Sequence, residues 1–282
     1  EVAGEIAEIG DGVAGFAVCD RVAVYPIAVC GECFFCSRGL HSLCTTEHGL
    51  AHGLDGGFAD YALVPARILK VGGLVKIGAL DFSLAAMAEP LSCCISALRW
   101  HGSREGDSVL IVGSGPMGLF HTMASRWAGL ISIVADLADD RLAVARKVGA
   151  DAVVNPAKED VAGVVRRLAP QGVDVLIFAL GDMEAVNPYL QHVRKGGVVN
   201  LFGGPPRGSK LTIDPRWLHY GQVRLTGTFA SSPGSFVEAL ALIADGLIDV
   251  KPVISHRFAL DELPMAVEQY RQGKLLKGVV LM

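Results

Sequence analysis

The chain has 282 residues, of which 51% are hydrophobic and 19% are charged, enough to build the cores of two domains. Its net charge of -4 comes from 25 basic and 29 acidic residues mixed along the chain, without a basic stripe that would bind a nucleic-acid backbone. No apolar stretch is long enough to cross a bilayer and no secretory signal is visible, which predicts a cytoplasmic protein with neither a nucleic-acid nor a membrane partner.

The first part of the chain, up to about residue 75, is predicted to consist of short strands separated by glycine-rich turns. Residues 58–64 alternate between apolar and small or polar side chains, as strands do. This alternation is present from Glu1 onward, so we expect that an upstream strand partner is missing. A helix is predicted over residues 83–101, capped by Ser83. This part is therefore predicted to be β-rich and barrel-like, truncated at its N-terminus.

From residue 107 the pattern changes to alternating strands and helices. The predicted strands cover residues 109–112, 131–136, 152–154, 173–178 and 198–202. The predicted helices cover residues 117–128, 140–148, 161–168 and 184–193, and a further helix covers residues 235–245. This alternation predicts an α/β domain with a doubly wound parallel sheet, the Rossmann type.

Four of the seven cysteines lie in one short segment: Cys30, Cys33, Cys36 and Cys44. Four thiolates on a tight loop can close a tetrahedron around Zn²⁺, which leaves no open position for chemistry. Unrelated buried or surface cysteines are one alternative, and an iron–sulfur cluster is another. Ferredoxin-type spacing continues with three residues and Cys-Pro, whereas here the gap before Cys44 is seven residues and Thr45 follows it. We predict a structural zinc in a reducing compartment.

A glycine loop over residues 113–118 follows a predicted strand and opens a helix, the context of a dinucleotide-binding site. Gly113 is predicted to make the tight turn, Gly115 to let the pyrophosphate approach the backbone, and Gly118 to let the helix pack on the strand. Together with Pro116 and Met117, these residues would place phosphates against the amides at the positive end of the helix.

Asp136 ends the second strand, where an acidic residue binds the ribose 2′-hydroxyl of NAD. Its carboxylate would repel a 2′-phosphate, so NAD is favoured over NADP, although the nearby Arg141 would partly reverse this preference. The alternative is a solvated acid at a strand end.

Glu89 lies between Ala88 and Pro90 in a largely apolar helix, where a lone charge is costly to bury. It is predicted either to face a metal ion or to lie on the helix surface, paired with an arginine. Cys93 and Cys94 follow one turn later and are interpreted as small buried hydrophobes.

Together these motifs resemble the zinc-containing medium-chain dehydrogenase/reductase (alcohol dehydrogenase) family, nearest its sorbitol and threonine dehydrogenase branch. The resemblance covers the whole chain. It includes the cysteine loop, the glycine loop, and residues 55–61 (DGGFADY), 88–92 (AEPLS) and 201–204 (LFGG).

This resemblance implies a GroES-like catalytic domain over residues 1–88 and 232–282 and an NAD-binding domain over residues 89–231. It implies that Glu1 and Glu89 lie at the catalytic zinc, whose histidine and cysteine ligands would lie upstream of Glu1. It further implies that Lys277 reaches the cofactor pyrophosphate, and that Phe202, Gly203, Thr228 and Phe229 flank the nicotinamide.

The family resemblance implies a zinc-dependent oxidoreductase that transfers a hydride between NAD and a polyol, a sugar derivative or another secondary alcohol, in a dimer or tetramer. Sorbitol itself is disfavoured, because Ala230-Ser231 stand where animal sorbitol dehydrogenases have an Arg-Tyr pair. Two alternatives remain: an NAD-binding fragment without turnover, and a zinc-free reductase of the quinone reductase kind. The cysteine loop and Glu89 argue against the second.

Overall fold

The computed structural model describes residues 1–282, and the chain divides into two compact units. The first, here called the split unit, comprises Glu1–Cys93 and Ala230–Met282. The second, the central unit, is Cys94–Phe229. The family resemblance placed these boundaries at residues 88/89 and 231/232.

The first part of the split unit contains two three-stranded sheets, in the orders β1-β2-β6 and β3-β4-β5. Buried apolar side chains of β2, β3, β4 and the first helix pack into one cluster. The strands are β1 (Val2–Glu5), β2 (Arg21–Val24), β3 (Ile27–Ala28), β4 (His48–Leu50), β5 (Gly53–Leu54) and β6 (Leu74–Lys76), and the helices are α1 (Ala66–Lys70), α2 (Phe82–Ala85) and the start of α3 (Ala88–His101).

The central unit contains a six-stranded parallel sheet in the order β12-β11-β10-β7-β8-β9. Its inner strands are runs of buried apolar residues, as expected for strands covered on both faces. The strands are β7 (Ser108–Val112), β8 (Ile131–Ala135), β9 (Ala152–Val154), β10 (Val173–Phe178), β11 (Val193–Leu201) and β12 (Arg224–Gly227), and the helices are α4 (Pro116–Trp127), α5 (Asp139–Lys147), α6 (Val161–Leu168), α7 (Asn187–Leu190) and α8 (Pro215–Gly221).

This strand order is that of the doubly wound dinucleotide-binding fold, whose connections reverse direction between β7 and β10. Ligands of such sheets bind outside the carboxyl ends of the strands at this switch point. The predicted parallel sheet is therefore confirmed, and its binding edge is defined.

The chain then returns to the split unit with α9 (Pro233–Ala244), β13 (His256–Ala259), α10 (Leu263–Arg271) and β14 (Gly278–Leu281). β13 and β14 pair in parallel, so residues before and after α10 lie side by side. The sequence patterns predicted only α9 in this region.

Two predicted helices were wrong in their extent. Residues 83–101 form two helices, and the cap of α2 is Asp81, whose carboxylate accepts from the amides of Ser83 and Leu84. The break follows from Pro90, because a proline is tolerated only in the first turn of a helix. Residues 184–193 give only a 3₁₀ turn and α7, since Val193 pairs with Val173 and begins β11.

Two buried histidines of the central unit should make its stability depend on pH. Burial lowers the pKa of His101 to about 4 and that of His121 to about 3. Below about pH 6.5 the unfolded chain therefore binds protons that the folded chain does not, so stability falls with falling pH, by about 1.4 kcal/mol per pH unit for each histidine.

The measurement is urea unfolding as a function of pH for the wild type and His121→Leu. Both ring nitrogens of His121 are buried without a hydrogen-bond partner. The leucine variant should therefore have a higher free energy of unfolding, and this free energy should change less with pH. Replacing the exposed His219 by glutamine is the control and should leave the slope unchanged. An equal slope in His121→Leu would contradict the assignment.

Candidate functional site

The cysteine loop brings four sulfur atoms together. The Sγ atoms of Cys30, Cys33, Cys36 and Cys44 all lie within 4.8 Å of one another. The distance from Cys30 to Cys36 is 3.8 Å and that from Cys44 to Cys30 is 3.6 Å. In a tetrahedron with Zn–S bonds of about 2.3 Å, the sulfur atoms are about 3.8 Å apart. The loop therefore has the dimensions of a four-sulfur zinc site.

Backbone amides donate hydrogen bonds to sulfur atoms of this loop, whereas burial raises the pKa of the Cys36 thiol to about 12. The amide of Cys33 donates to the sulfur of Cys30, and the amide of Cys30 donates to the sulfur of Cys44. Hydrogen bonds from the amides of Cys36 and Thr45 lower the pKa of the Cys33 thiol to about 5. Thiolates are the species that bind zinc, so these contacts fit the predicted structural metal.

The glycine loop has the geometry that a pyrophosphate needs. Gly113 has φ 95°, a conformation that favours glycine, and its amide donates to the carbonyl of Ala135 at 2.8 Å. A Cβ atom on Gly118 would overlap the carbonyl oxygen of Gly113, so helix and loop pack in direct contact there. A Cβ atom on Gly115, by contrast, would meet nothing within 4 Å.

Gly115 is also the N-cap of α4, whose first residues are Pro116 and Met117. No side chain caps this helix end, so its free amides face the open space beside Gly115. Unpaired amides at a helix N-terminus attract phosphate groups. The residues present therefore fit a dinucleotide.

Asp136 is held at the carboxyl end of β8 by three hydrogen bonds. Its Oδ2 accepts from the amide and the hydroxyl of Ser114 at 2.6 and 2.9 Å, and its Oδ1 accepts from the amide of Ala138 at 2.9 Å. Ser114 is fully buried and ties the glycine loop to the acid. No sequence pattern singled out this serine, although it lies between two of the motif glycines. Arg141 lies on α5 and is partly exposed.

The loops after β7, β10 and β11 meet at Leu180. A Cβ atom on Gly113 would lie 2.7 Å from the Leu180 side chain, and one on Gly203 would overlap the Leu180 backbone. Gly203 is therefore required where two chain segments touch. The switch point thus brings Gly113 against the side chain of Leu180 and Gly203 against its backbone.

The remaining residues predicted to flank the nicotinamide lie close by in the central unit. The ring of Phe202 packs edge-on against His121, with centroids 4.3 Å apart. The hydroxyl of Thr228 donates to the side-chain oxygen of Asn200 at 3.1 Å, which fixes the end of β12 to β11. Phe229 is 72% exposed, so its ring is available to a ligand.

The predicted metal-site acids, Glu1 and Glu89, interact within the split unit. Burial, together with the nearby carboxylate of Glu1, raises the pKa of Glu89. No arginine pairs with Glu89; its hydrogen-bond partner is the thiol of Cys93, at 3.5 Å from Oε1. Glu89 is half-buried, and Cys93, interpreted as a plain hydrophobe, contacts the acid directly.

Lys277 forms an ion pair with Glu1. Lys277, which directly precedes β14, is therefore held beside Glu1, the acid that the resemblance assigns to the catalytic zinc. The sequence could not reveal this contact, because 275 residues separate the two positions and only the return of the chain joins them.

A buried hydroxyl network lies beside Cys93. The hydroxyl of Ser92 donates to that of Ser231 at 2.7 Å, and the hydroxyl of Tyr25 donates to the carbonyl of Ser231 at 2.8 Å. Ser231 is 4% exposed, so its side chain is used inside the protein. Ser231 thus connects α3 to the segment that precedes α9 through its hydrogen bond with Ser92.

Two family models match this chain. Residues 1–73 match the family model of the alcohol dehydrogenase GroES-like domain, and residues 116–245 match that of the zinc-binding dehydrogenase. L-threonine 3-dehydrogenase of Pyrococcus horikoshii is 34% identical, over 100% of this chain and 80% of its own length. Sorbitol dehydrogenase of Halalkalibacterium halodurans is 30% identical, over 98% of this chain and 80% of its own length.

A solved structure shows the same fold. A putative zinc-binding dehydrogenase from Sinorhizobium meliloti, bound to NADP, superposes with a TM-score of 0.90 at 32% identity and covers 99% of this chain and 82% of its own. A dinucleotide-binding sheet joined to a GroES-like unit with a four-cysteine loop defines a class of two-domain oxidoreductases. The chain belongs to the zinc-binding dehydrogenase family, and it is an NAD-linked alcohol oxidoreductase with a small-molecule substrate.

These findings confirm the predicted family, the fold class, and zinc and NAD as cofactors. The helices of the structure are all too short or too polar to cross a membrane.

Proposed function

We propose that this protein oxidises a secondary hydroxyl group of a polyol or sugar derivative and transfers the hydride to NAD. Sorbitol and threonine, which the names of its relatives specify, both carry a secondary hydroxyl. A third relative is named D-arabitol-phosphate dehydrogenase and is 30% identical. The residues at positions 230 and 231 support a substrate other than sorbitol, because Ser231 is buried in the Tyr25 network and offers no charged group.

The observation that carries the choice of cofactor is the fixed carboxylate of Asp136. Three hydrogen bonds hold it at the end of β8, where it would accept from the ribose hydroxyls and repel a 2′-phosphate. The family includes a relative bound to NADP, so this residue, rather than the fold, supports NAD here.

In the proposed site, Glu89 and Glu1 hold the catalytic zinc. Zinc, when bound, supplies Lewis-acid polarisation of the substrate hydroxyl group. The chain contributes the positions of the acids: α3 carries the half-buried Glu89, and Lys277 orients Glu1 through their ion pair. The hydroxyl network of Ser92 and Ser231 fixes the helix that carries Glu89.

Asp136→Asn tests the cofactor assignment. Asparagine keeps an acceptor for Ser114 but loses the charge, so we expect NAD affinity to fall by about 10-fold or more and discrimination against NADP to weaken. Asp140→Asn, on the exposed face of α5, is the matched control. Dissociation constants for both cofactors give the answer, and an unchanged NAD to NADP ratio in Asp136→Asn would contradict the role of this acid.

A panel of polyols, sugar phosphates, hydroxy-amino acids and simple secondary alcohols, assayed with NAD and zinc, tests the substrate class. Turnover of a polyol or sugar derivative above that of simple alcohols supports the proposal. NAD binding without turnover of any member would support the non-catalytic alternative instead. We further propose that the protein is cytoplasmic and forms a dimer or tetramer. Analytical ultracentrifugation would test the oligomeric state.

A further inference from the structure

A cavity of about 230 Å³ lies at the amino ends of the strands of the central sheet. Residues at or just before the starts of β7, β10 and β12 line it, whereas the dinucleotide site lies at the carboxyl ends of the strands. The cavity is therefore separate from the cofactor site. The charged residues that line it are Arg104, Asp107, Asp174, Arg194 and Arg224.

Two of these five residues, Asp174 and Arg194, are already paired with each other. The Oδ1 of Asp174 accepts from the Nε of Arg194 at 2.6 Å, and its Oδ2 accepts from the amide and the hydroxyl of Ser108, each at 2.7 Å. Arg194 also donates to the carbonyl of Lys195 at 2.8 Å. Since their opposite charges compensate, this pair forms a neutral part of the cavity wall.

Arg104 and Arg224, by contrast, have no acidic partner for their guanidinium groups. Arg224 donates to the carbonyl of His101 at 3.1 Å, and Arg104 is engaged only through its backbone amide, which donates to the Oδ2 of Asp107 at 2.9 Å. Burial lowers the pKa of His101 to about 4, so this ring adds no charge at neutral pH. The cavity therefore offers two unpaired cations, opposed by the single carboxylate of Asp107.

Unpaired guanidinium groups beside a small cavity favour an oxyanion as the ligand. The cavity is smaller than the roughly 300–1,000 Å³ of pockets for drug-sized ligands, so its occupant must be small. One guanidinium fork uses both oxygens of a carboxylate, whereas a phosphate group carries up to two negative charges and enough oxygens for two forks.

We propose that this cavity binds a phosphate group, either as free phosphate or as the phosphate of a small metabolite, through Arg104 and Arg224. The Asp174–Arg194 pair would fix the opposite charges of the wall, and Asp107 would limit the affinity by repulsion. The site lies outside the dehydrogenase reaction proposed above, and neither proposal depends on the other.

The experiment is a calorimetric titration of the full-length, NAD-saturated protein with inorganic phosphate at neutral pH. Bound NAD occupies the glycine loop, so phosphate binding there does not contribute. We expect a Kd of about 1 mM or lower for the wild type. Arg104→Gln and Arg224→Gln should each weaken binding by about 10-fold or more. Asp107→Asn removes the opposing charge and should strengthen binding by about 2- to 5-fold.

Arg167→Gln is the matched control, because Arg167 is an exposed arginine of α6 outside the cavity, and it should leave the affinity unchanged. No binding to the wild type up to about 10 mM phosphate would overturn the proposal. Unchanged affinity in both cavity variants, or an equal loss in Arg167→Gln, would also overturn it. If Arg224→Gln does not fold, Arg104→Gln decides, since the exposed Arg104 side chain holds no other group in place.

Two further ligands identify the source of the phosphate group. Methyl phosphate carries the phosphate of a metabolite but no hydroxyl group that the alcohol site could bind. If it binds as tightly as inorganic phosphate and is weakened by the same two variants, the site accepts a metabolite's phosphate group. If methyl phosphate is excluded, the site is specific for free phosphate. Tighter binding of succinate than of either phosphate would contradict the choice of a phosphate group.

Discussion

Cys36→Ser should remove one zinc per chain and strongly destabilise the split unit. Cys36 is 5% exposed, and its sulfur lies 3.8 Å from that of Cys30, so a serine there breaks a closed four-sulfur shell. Structural zinc contributes on the order of 10 kcal/mol to the folding of small zinc domains. We therefore expect the melting temperature to fall by about 10 °C or more.

Zinc analysis, thermal unfolding and limited proteolysis would follow this loss. Without zinc, cleavage should concentrate in residues 30–44, because few apolar side chains other than the cysteines pack there. Cys19→Ser is the control, since Cys19 is exposed and lies outside the cluster. An unchanged zinc content in Cys36→Ser would mean that the metal is held elsewhere.

Gly115→Ala should strongly weaken cofactor binding without affecting stability. The backbone of Gly115 has φ -63°, which alanine adopts readily, and the new Cβ would meet no protein atom within 4 Å. The space it fills is the one assigned to the pyrophosphate. We expect NAD affinity to fall by at least about 100-fold, equal to about 2.8 kcal/mol, at an unchanged melting temperature.

Gly118→Ala provides the contrast. Its Cβ would overlap the carbonyl of Gly113, so the helix must shift, at a cost of about 1–3 kcal/mol of stability. Gly10→Ala, in open space in the split unit, is the neutral control for both measurements. Equal NAD affinity of Gly115→Ala and the wild type, by fluorescence titration, would contradict the assigned phosphate position.

Local patterns predicted the central sheet well. β7 and β10 are short, largely apolar runs. Such runs are typical of parallel strands, because both faces of these strands are buried. The helix predicted over residues 184–193 was too long, because Val193 pairs with Val173 and belongs to β11. This pairing joins two separate segments of the chain. The short strands β12, β13 and β14 carried too weak a pattern to be predicted.

The zinc loop and the glycine loop could be predicted from the sequence, because each is local. Their chemistry depends on spacing over a few residues, and backbone geometry turns that spacing into a site. The surroundings of Glu89, by contrast, depend on how distant parts of the chain pack together. The contact with Cys93 required knowing that α3 is helical and buried at that turn, and the pairing of Lys277 with Glu1 required the chain to return from its far end. Such contacts arise from packing, which no local pattern encodes.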